Sequence, residues 1–381
     1  MALVDAVQMK LIYILLLMVS LGAFSQENVA KIGNMPDEVK ENSGLLFYNG
    51  KLITHNDSGN TPQLFEIDTL SLAVTRVITI ENAENIDWED LAQDDDYIYI
   101  GDFGNNNGDR QNLRVYRISK IDYDSNTTIS ADIIDIAYED QLDFSTNANS
   151  DWDAEALFVL NDNLVILTKQ WQSMGTVAYS FPKEPGVYIA SRIGEYAVQG
   201  LVTGATINVQ SNELFVVGYS QTLAPFLLEI PFDSPQNIFG GDINKTILNI
   251  GLAQVEAITQ INENTFHVSS EGFVNNVPAF TLEAALFSFQ LDREIIDVKD
   301  KEKETLVVFK AYNSDVLGYQ LNTGEAVFGS SIFSVSGQKL YNAPGIVPKE
   351  GILDISSFET ATYYLVFYLN SGVVSKPFIK N

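Results

Sequence analysis

Cysteine is absent from the chain. That excludes a disulfide scaffold and any thiolate-ligated metal, so stapling falls to packing or to cations held by oxygen. Positive charge is scarce: 22 Lys and Arg stand against 50 Asp and Glu, a formal net charge of −28. Such a surface repels phosphate backbones and leaves no basic face for nucleic acid. Helical periodicity is almost missing, and beyond the N-terminus no apolar run is long enough to span a bilayer. Also missing are the Gly-x-Ser-x-Gly elbow, the phosphate-binding loop, His-Glu-x-x-His and the dinucleotide fingerprint.

What is present first is a leader. Lys10 precedes the apolar run Leu11–Phe24, about the length of a signal-peptide core. Ala23-Phe24-Ser25 offers small residues for cleavage before Gln26, so residues 1–25 are expected to be removed. Asp5 is out of place in a leader, and Met9-Lys10 makes the better start. An exported protein is expected, with no transmembrane helix in its mature form.

The remainder is written in short Val, Ile, Tyr and Phe runs broken by Asn, Asp, Gly and Pro, the signature of strands. These runs repeat. Ser43-Gly-Leu leads to Leu52-Ile-Thr-His and then Gln63-Leu-Phe-Glu-Ile; Glu89-Asp-Leu leads to Tyr97-Ile-Tyr-Ile and then Leu113-Arg-Val-Tyr. Glu155-Ala-Leu, Thr203-Gly-Ala and Glu256-Ala-Ile open three more such units. Outer strands at Val74, Ile133, Tyr188 and Thr246 complete four of them, and Asn28–Gly33 can supply the outer strand that the fifth lacks. Units of roughly 45–65 residues with four strands each predict an all-β chain whose residues 26–297 form a β-propeller. Five four-stranded blades closed by the N-terminal strand are expected, or six if two have been merged. The charged run at 298–304 reads as a linker, and residues 305–381 as a small C-terminal β-sandwich.

In a propeller the first strand of each blade lines the central channel, so equivalent positions form rings about one axis. The opening triplets put Glu89, Glu155 and Glu256 in one ring with Ser43 and Thr203. The ends of the second strands put Asp57, Asp102, Lys169, Tyr219 and Glu271 in another, at the same mouth of the channel. Carboxylates so crowded raise one another's pKa, and burial raises it further. Two readings stay open: a Ca²⁺-type divalent cation ligated by Glu89, Glu155, Glu256, Asp57, Asp102 and Glu271, or acids that each cap amides in the turns of their own blade. Lys169, the only base in the two rings, and Glu155 and His55 are the candidates for catalysis. Trp171 and Tyr219 are the candidates for holding a small-molecule or glycan ligand. His267 reads as packed, and Trp88 and Trp152 as wedges between blades.

Two resemblances add to this. The tail, with Ser336-Gly-Gln-Lys, Leu353-Asp-Ile-Ser-Ser, the Tyr-rich strand at Tyr363 and the basic end, resembles the C-terminal sorting domain of the type IX (Por) secretion system of Bacteroidota. It departs from that family at Tyr312-Asn-Ser-Asp, where the pattern is Tyr-Pro-Asn-Pro. The resemblance implies recognition of residues 305–381 by that machinery and release to, or attachment at, the cell surface. His55-Asn-Asp-Ser-Gly, Asp87-Trp-Glu-Asp and Gly101-Asp-Phe-Gly-Asn-Asn resemble motifs of a group of uncharacterised bacterial β-propellers, loosely similar to calcium-dependent phytases and phytase-like esterases. Two functions are therefore expected as alternatives: a metal-stabilised binding propeller, or a metal-dependent hydrolase of phosphoesters or esters.

Overall fold

The computed structural model describes residues 29–276, 279–291, 306–309, 315–370 and 372–380. The leader expected at 1–25 and the linker expected at 298–304 lie outside the described residues. The chain separates into two compact units at position 292/293.

The first unit is a five-bladed propeller. Its opening strand, β1 (Ala30–Asn34), is followed by a first blade of β2 (Asn42–Tyr48), β3 (Lys51–Asn56), β4 (Gln63–Asp68) and β5 (Val74–Ile80). The second blade holds β6 (Trp88–Gln93), β7 (Tyr97–Asp102), β8 (Arg114–Ser119) and, after the two-residue β9 (Thr128–Ile129), β10 (Asp132–Tyr138). The third is β11 (Asp153–Leu160), β12 (Asn163–Lys169), β13 (Thr176–Pro182) and β14 (Gly186–Tyr196). The fourth is β15 (Leu201–Asn208), β16 (Glu213–Tyr219), β17 (Pro225–Pro231) and β18 (Asn244–Ile247). In the fifth, β19 (Val255–Gln260), β20 (Thr265–Ser270) and β23 (Ala285–Gln290) are completed by β1, which pairs antiparallel with β23. The hairpin of β21 (Phe273–Asn276) and β22 (Ala279–Leu282) interrupts that blade.

The inner strands close a ring. β2 lies beside β6 and β19, β11 beside β6 and β15, and β15 beside β19. Five apolar clusters fill the gaps between successive blades. Trp88 lies fully buried between the first and second blades, and Trp152 packs between the second and third, as wedges. Each large side chain so buried contributes about 1.5–3 kcal/mol, which is why strands with apolar residues on both faces occupy the inner positions. Two features depart from independent blades: β10 and β14 pair in parallel, joining the second and third blades along their outer edges, and β9 pairs in parallel with β5 of the first blade.

The second unit is a sandwich. A three-stranded sheet of β24 (Leu306–Phe309), β25 (Val316–Leu321) and β28 (Glu350–Asp354) shares a core with a four-stranded sheet of β26 (Val327–Ser334), β27 (Lys339–Pro344), β29 (Ala361–Leu369) and β30 (Gly372–Lys380). Leu317, Tyr319, Leu365 and Phe367 are its buried centre.

Candidate functional site

Every inner strand bulges near its start. Between the paired residues, one inner-strand residue is left over: Gly44, Glu155, Thr203 and Glu256 in the first, third, fourth and fifth blades. In the second blade Glu89 and Asp90 together face the single Gly101. Counted from the pairs that follow the bulge, Asp90 is the residue in step with Glu155, Thr203 and Glu256. This corrects the alignment made from sequence: Glu89 stands one residue ahead of that ring, and in the first blade the ring position is Gly44, not Ser43. Bulges of this kind re-aim side chains, here toward the axis.

Residues without a carboxylate stitch the ring. Ser43 Oγ donates to the Glu89 carbonyl at 2.5 Å and Thr203 Oγ1 to the Val255 carbonyl at 2.5 Å. Asp90 does more. Its Oδ2 accepts from the Leu157 amide at 2.9 Å and the Ala205 amide at 3.4 Å, and its Oδ1 from its neighbour Leu91 at 2.8 Å. One fully buried carboxylate from the second blade thus ties the inner strands of the third and fourth. Leu157 and Ala205 also line a cavity of about 220 Å³ walled by all five inner strands, so Asp90 is bonded to two residues of the channel wall.

On the mouth side the acids converge. Asp57, Asp87 and Glu89 bring carboxylate oxygens within 4.8 Å of one another, and so do Glu89, Asp153 and Glu155. Glu89 belongs to both groups and is buried, with no hydrogen bond to its carboxylate among the described residues. Gly104 makes the space: a Cβ there would meet Glu89 Oε1 at 2.1 Å and Asp87 Oδ2 at 2.4 Å. Asp153 is held from both sides, by the Asn105 amide at 2.6 Å and the Trp171 indole N–H at 2.9 Å. Lys169 Nζ lies 2.9 Å from Glu155 Oε1, above the rings of Trp171 and Tyr219 at 4.9 and 5.6 Å.

Asp87 and Asp153 are not among the residues that the sequence alone singles out, although each neighbours a tryptophan, Trp88 and Trp152. Arg110 was missed because it comes from the Asn- and Gly-rich loop instead of a repeated position. It binds Asp102 Oδ1 at 2.9 Å and the Gly104 carbonyl at 2.7 Å, and so organises the loop beneath the acids.

Not every expected ligand joins the two groups. Asp102, fully buried, turns Oδ1 to Arg110 and the Asp87 amide. Glu256 and Glu271 lie close enough to Lys169 and Asp57 to perturb one another but outside the two carboxylate groups. Asp57 lies one residue past the ring position, which in the first blade is Asn56.

The electrostatics follow from eight carboxyl groups set against two bases, Lys169 and Arg110. Burial, then mutual repulsion among the acids, raises Glu89 well above the usual carboxylate range. Glu155 and Glu256 are pushed the same way by burial, with Lys169 opposing. Burial and the charges of Asp57 and Asp153 lift Asp87 to about 7, and burial with Asp57 lifts Glu271 to about 7. Burial alone would depress Lys169; Glu155, Tyr219 and Glu256 around it hold it well above its ordinary value.

His55 is not at the mouth. It lies on β3, fully buried and edge-on to Trp88 at 5.6 Å, and burial lowers it to about 4. Packed edge-on against Trp88 in the blade interface, it stands outside both carboxylate groups. His267 is buried mid-strand in β20, as expected. Trp171 and Tyr219 do border the mouth, but their first partners are Asp153 and Lys169 for the one, Gln254 and Lys169 for the other.

No family model matches the chain, and no curated protein matches it. Among solved structures, it is similar to a chain of a nidogen/laminin complex at 13% identity and a TM-score of 0.36, over 66% of this chain and 86% of that one. It is also similar to the extracellular domain of BT4673, a putative one-component system from B. thetaiotaomicron, at 11% identity and a TM-score of 0.31, over 93% and 59% of the two chains. Similarity of that size carries nothing about ligand or activity.

Proposed function

We propose that this protein is an exported β-propeller whose acidic mouth holds a divalent cation, Ca²⁺, and presents it to an extracellular small molecule or glycan. The observation that carries the reading is Glu89, a buried carboxylate without a hydrogen bond, shared by two groups of acids whose oxygens lie within 4.8 Å. A ligand set of carboxylates alone, with no imidazole or thiolate near it, suits a hard cation taking six to eight oxygens. Asp57, Asp87 and Glu89 would hold one ion, and Asp153 and Glu155 extend the site on the far side of Glu89. The ion, when bound, supplies a Lewis-acidic centre at the channel mouth. Asn105 and Trp171 fix the orientation of Asp153, and Lys169 balances the charge of Glu155. Delivery by the type IX secretion machinery through residues 305–381 rests on the resemblance of the tail.

The hydrolase alternative is favoured by the crowding of Asp87 against Asp57 and Glu89, which with burial lifts it to about 7, where a carboxylate can take a proton from water at neutral pH. The test of the shared premise is terbium luminescence, with Trp171 as the sensitising indole beside Asp153. Wild type should show sensitised emission that Ca²⁺ displaces, and Glu89→Gln should lose it. Equal emission from both proteins would remove Glu89 from the site.

A further inference from the structure

A second cleft opens at the same end of the third blade, with a volume of about 380 Å³. We infer that it is a binding site for a neutral sugar ring, one pyranose unit of an extracellular glycan, built separately from the acid cluster.

The floor is aromatic and rigid. Trp152, Tyr179 and Val177 line it, and Tyr138 locks the two rings from behind, with centroids 5.5 Å from Trp152 and 4.5 Å from Tyr179. A flat π-surface takes the C–H face of a sugar, whose axial hydrogens carry partial positive charge toward the ring quadrupole.

The rim decides the class. Asp151 spends both oxygens inside the protein: Oδ1 accepts from the Gln172 and Ser173 amides at 2.7 and 3.2 Å, and Oδ2 from Ser173 Oγ at 2.5 Å. Asp140 accepts from Tyr179 Oη at 2.8 Å and from Arg192 at 3.3 Å, and Arg192 is shared with Glu195. Every charged group at the rim is therefore already hydrogen-bonded within the protein, Asp140 to Arg192 and Asp151 to two backbone amides and a hydroxyl. An anion finds no unspent cation there, and a cation finds no unspent carboxylate. What is unspent is neutral: among the described residues the side-chain amides of Asn147 and Gln170 make no hydrogen bond, and the Gln172 carbonyl oxygen accepts none. A purely apolar ligand would bury those amides without partners, at about 1–3 kcal/mol each. A ring with one apolar face and a girdle of hydroxyls satisfies both the floor and the amides. The volume is at the small end of the roughly 300–1,000 Å³ usual for ligand pockets, enough for one ring with the rest of a chain outside.

None of these side chains belongs to the acid groups at the mouth, so the proposal stands without the cation. The two sites are nonetheless adjacent in sequence, since Asp151 and Trp152 line the cleft and Asp153 the mouth.

The experiment is saturation-transfer NMR on the mature chain with glucose, galactose, mannose, xylose, N-acetylglucosamine and cellobiose. Glucose 6-phosphate and glucosamine serve as charged controls, and each probe is measured in Ca²⁺ and in chelator. At least one neutral sugar should receive saturation, strongest at the ring C–H protons of one face, in both buffers. Gln170→Ala with Gln172→Ala should weaken that binding at least tenfold at an unchanged melting temperature. Asn147→Ala, at an exposed residue, repeats the test if the double variant loses stability. Absence of binding by all neutral probes, a preference for either charged control, indifference to these variants, or binding seen only with Ca²⁺ would each overturn the proposal; the last would move the sugar to the mouth.

Discussion

Two carboxylates adjacent in sequence do opposite work here. Glu89 projects into the acid cluster without a hydrogen bond, whereas its neighbour Asp90 is fully satisfied by the backbone amides of Leu91, Leu157 and Ala205. Burial raises Asp90 strongly, and those amides are what oppose the cost of placing it there. Removing it takes this acceptor from the N–H groups of Leu157 and Ala205 in the neighbouring inner strands, besides that of Leu91, each worth about 1–3 kcal/mol when unsatisfied. Asp90→Ala should therefore lose about 2–4 kcal/mol in urea unfolding, and Asp90→Asn, which keeps an acceptor, clearly less. A wild-type unfolding midpoint for Asp90→Ala would contradict this role. The pairing of functions was not legible beforehand. Matching Glu-Asp-Leu to Glu-Ala-Leu puts Glu89 beside Glu155 and Glu256, but every bulge carries one extra residue and the strand register sets Asp90, not Glu89, at that position. Arg110 was hidden for a different reason, since it reaches Asp102 from a loop that no other blade repeats.

At the scale of elements, the repeat was the most readable feature. Period-two alternation, turn residues and the recurring opening triplets located the inner strands, because a strand buried on both faces has little freedom in composition. The closing strand was legible as well: the fifth unit lacked an outer strand and the N-terminus offered one. β1 is largely exposed along its side chains, so its contribution is the backbone ladder to β23 and the covering of an edge. Deleting residues 29–34 should leave most of the core intact yet produce dimers or aggregates on size-exclusion chromatography. A deletion variant that stays monomeric with an unchanged melting temperature would show that the edge needs no cover. The parallel pairing of β10 with β14 was not legible, because nothing in either strand's own pattern names a partner in another blade.

For the whole molecule, the excess of acid becomes a question of where it is concentrated. The charge of −28 is spread over the chain, but eight carboxyl groups and two bases share the channel mouth, and this concentration has a pH signature. Asp87 and Glu271 bind a proton more tightly folded, with values near 7, than they do unfolded, where ordinary carboxylates titrate near 4. Between those limits the folded state holds the extra protons, so without metal the stability should fall as pH rises from about 4 through about 7 and then level off. A cation at the mouth reverses the balance by favouring the ionised acids, and its effect should grow over the same window.

Differential scanning calorimetry of the mature chain at pH 5 and pH 8, with chelator and with millimolar Ca²⁺, brings these arguments to one number. The melting temperature should drop from pH 5 to pH 8 in chelator, rise by several degrees with Ca²⁺ at pH 8, and respond little at pH 5, with Glu89→Gln blunting the rise. A melting temperature indifferent to Ca²⁺ at pH 8 would mean that the gathered carboxylates hold protons and hydrogen bonds, and no metal.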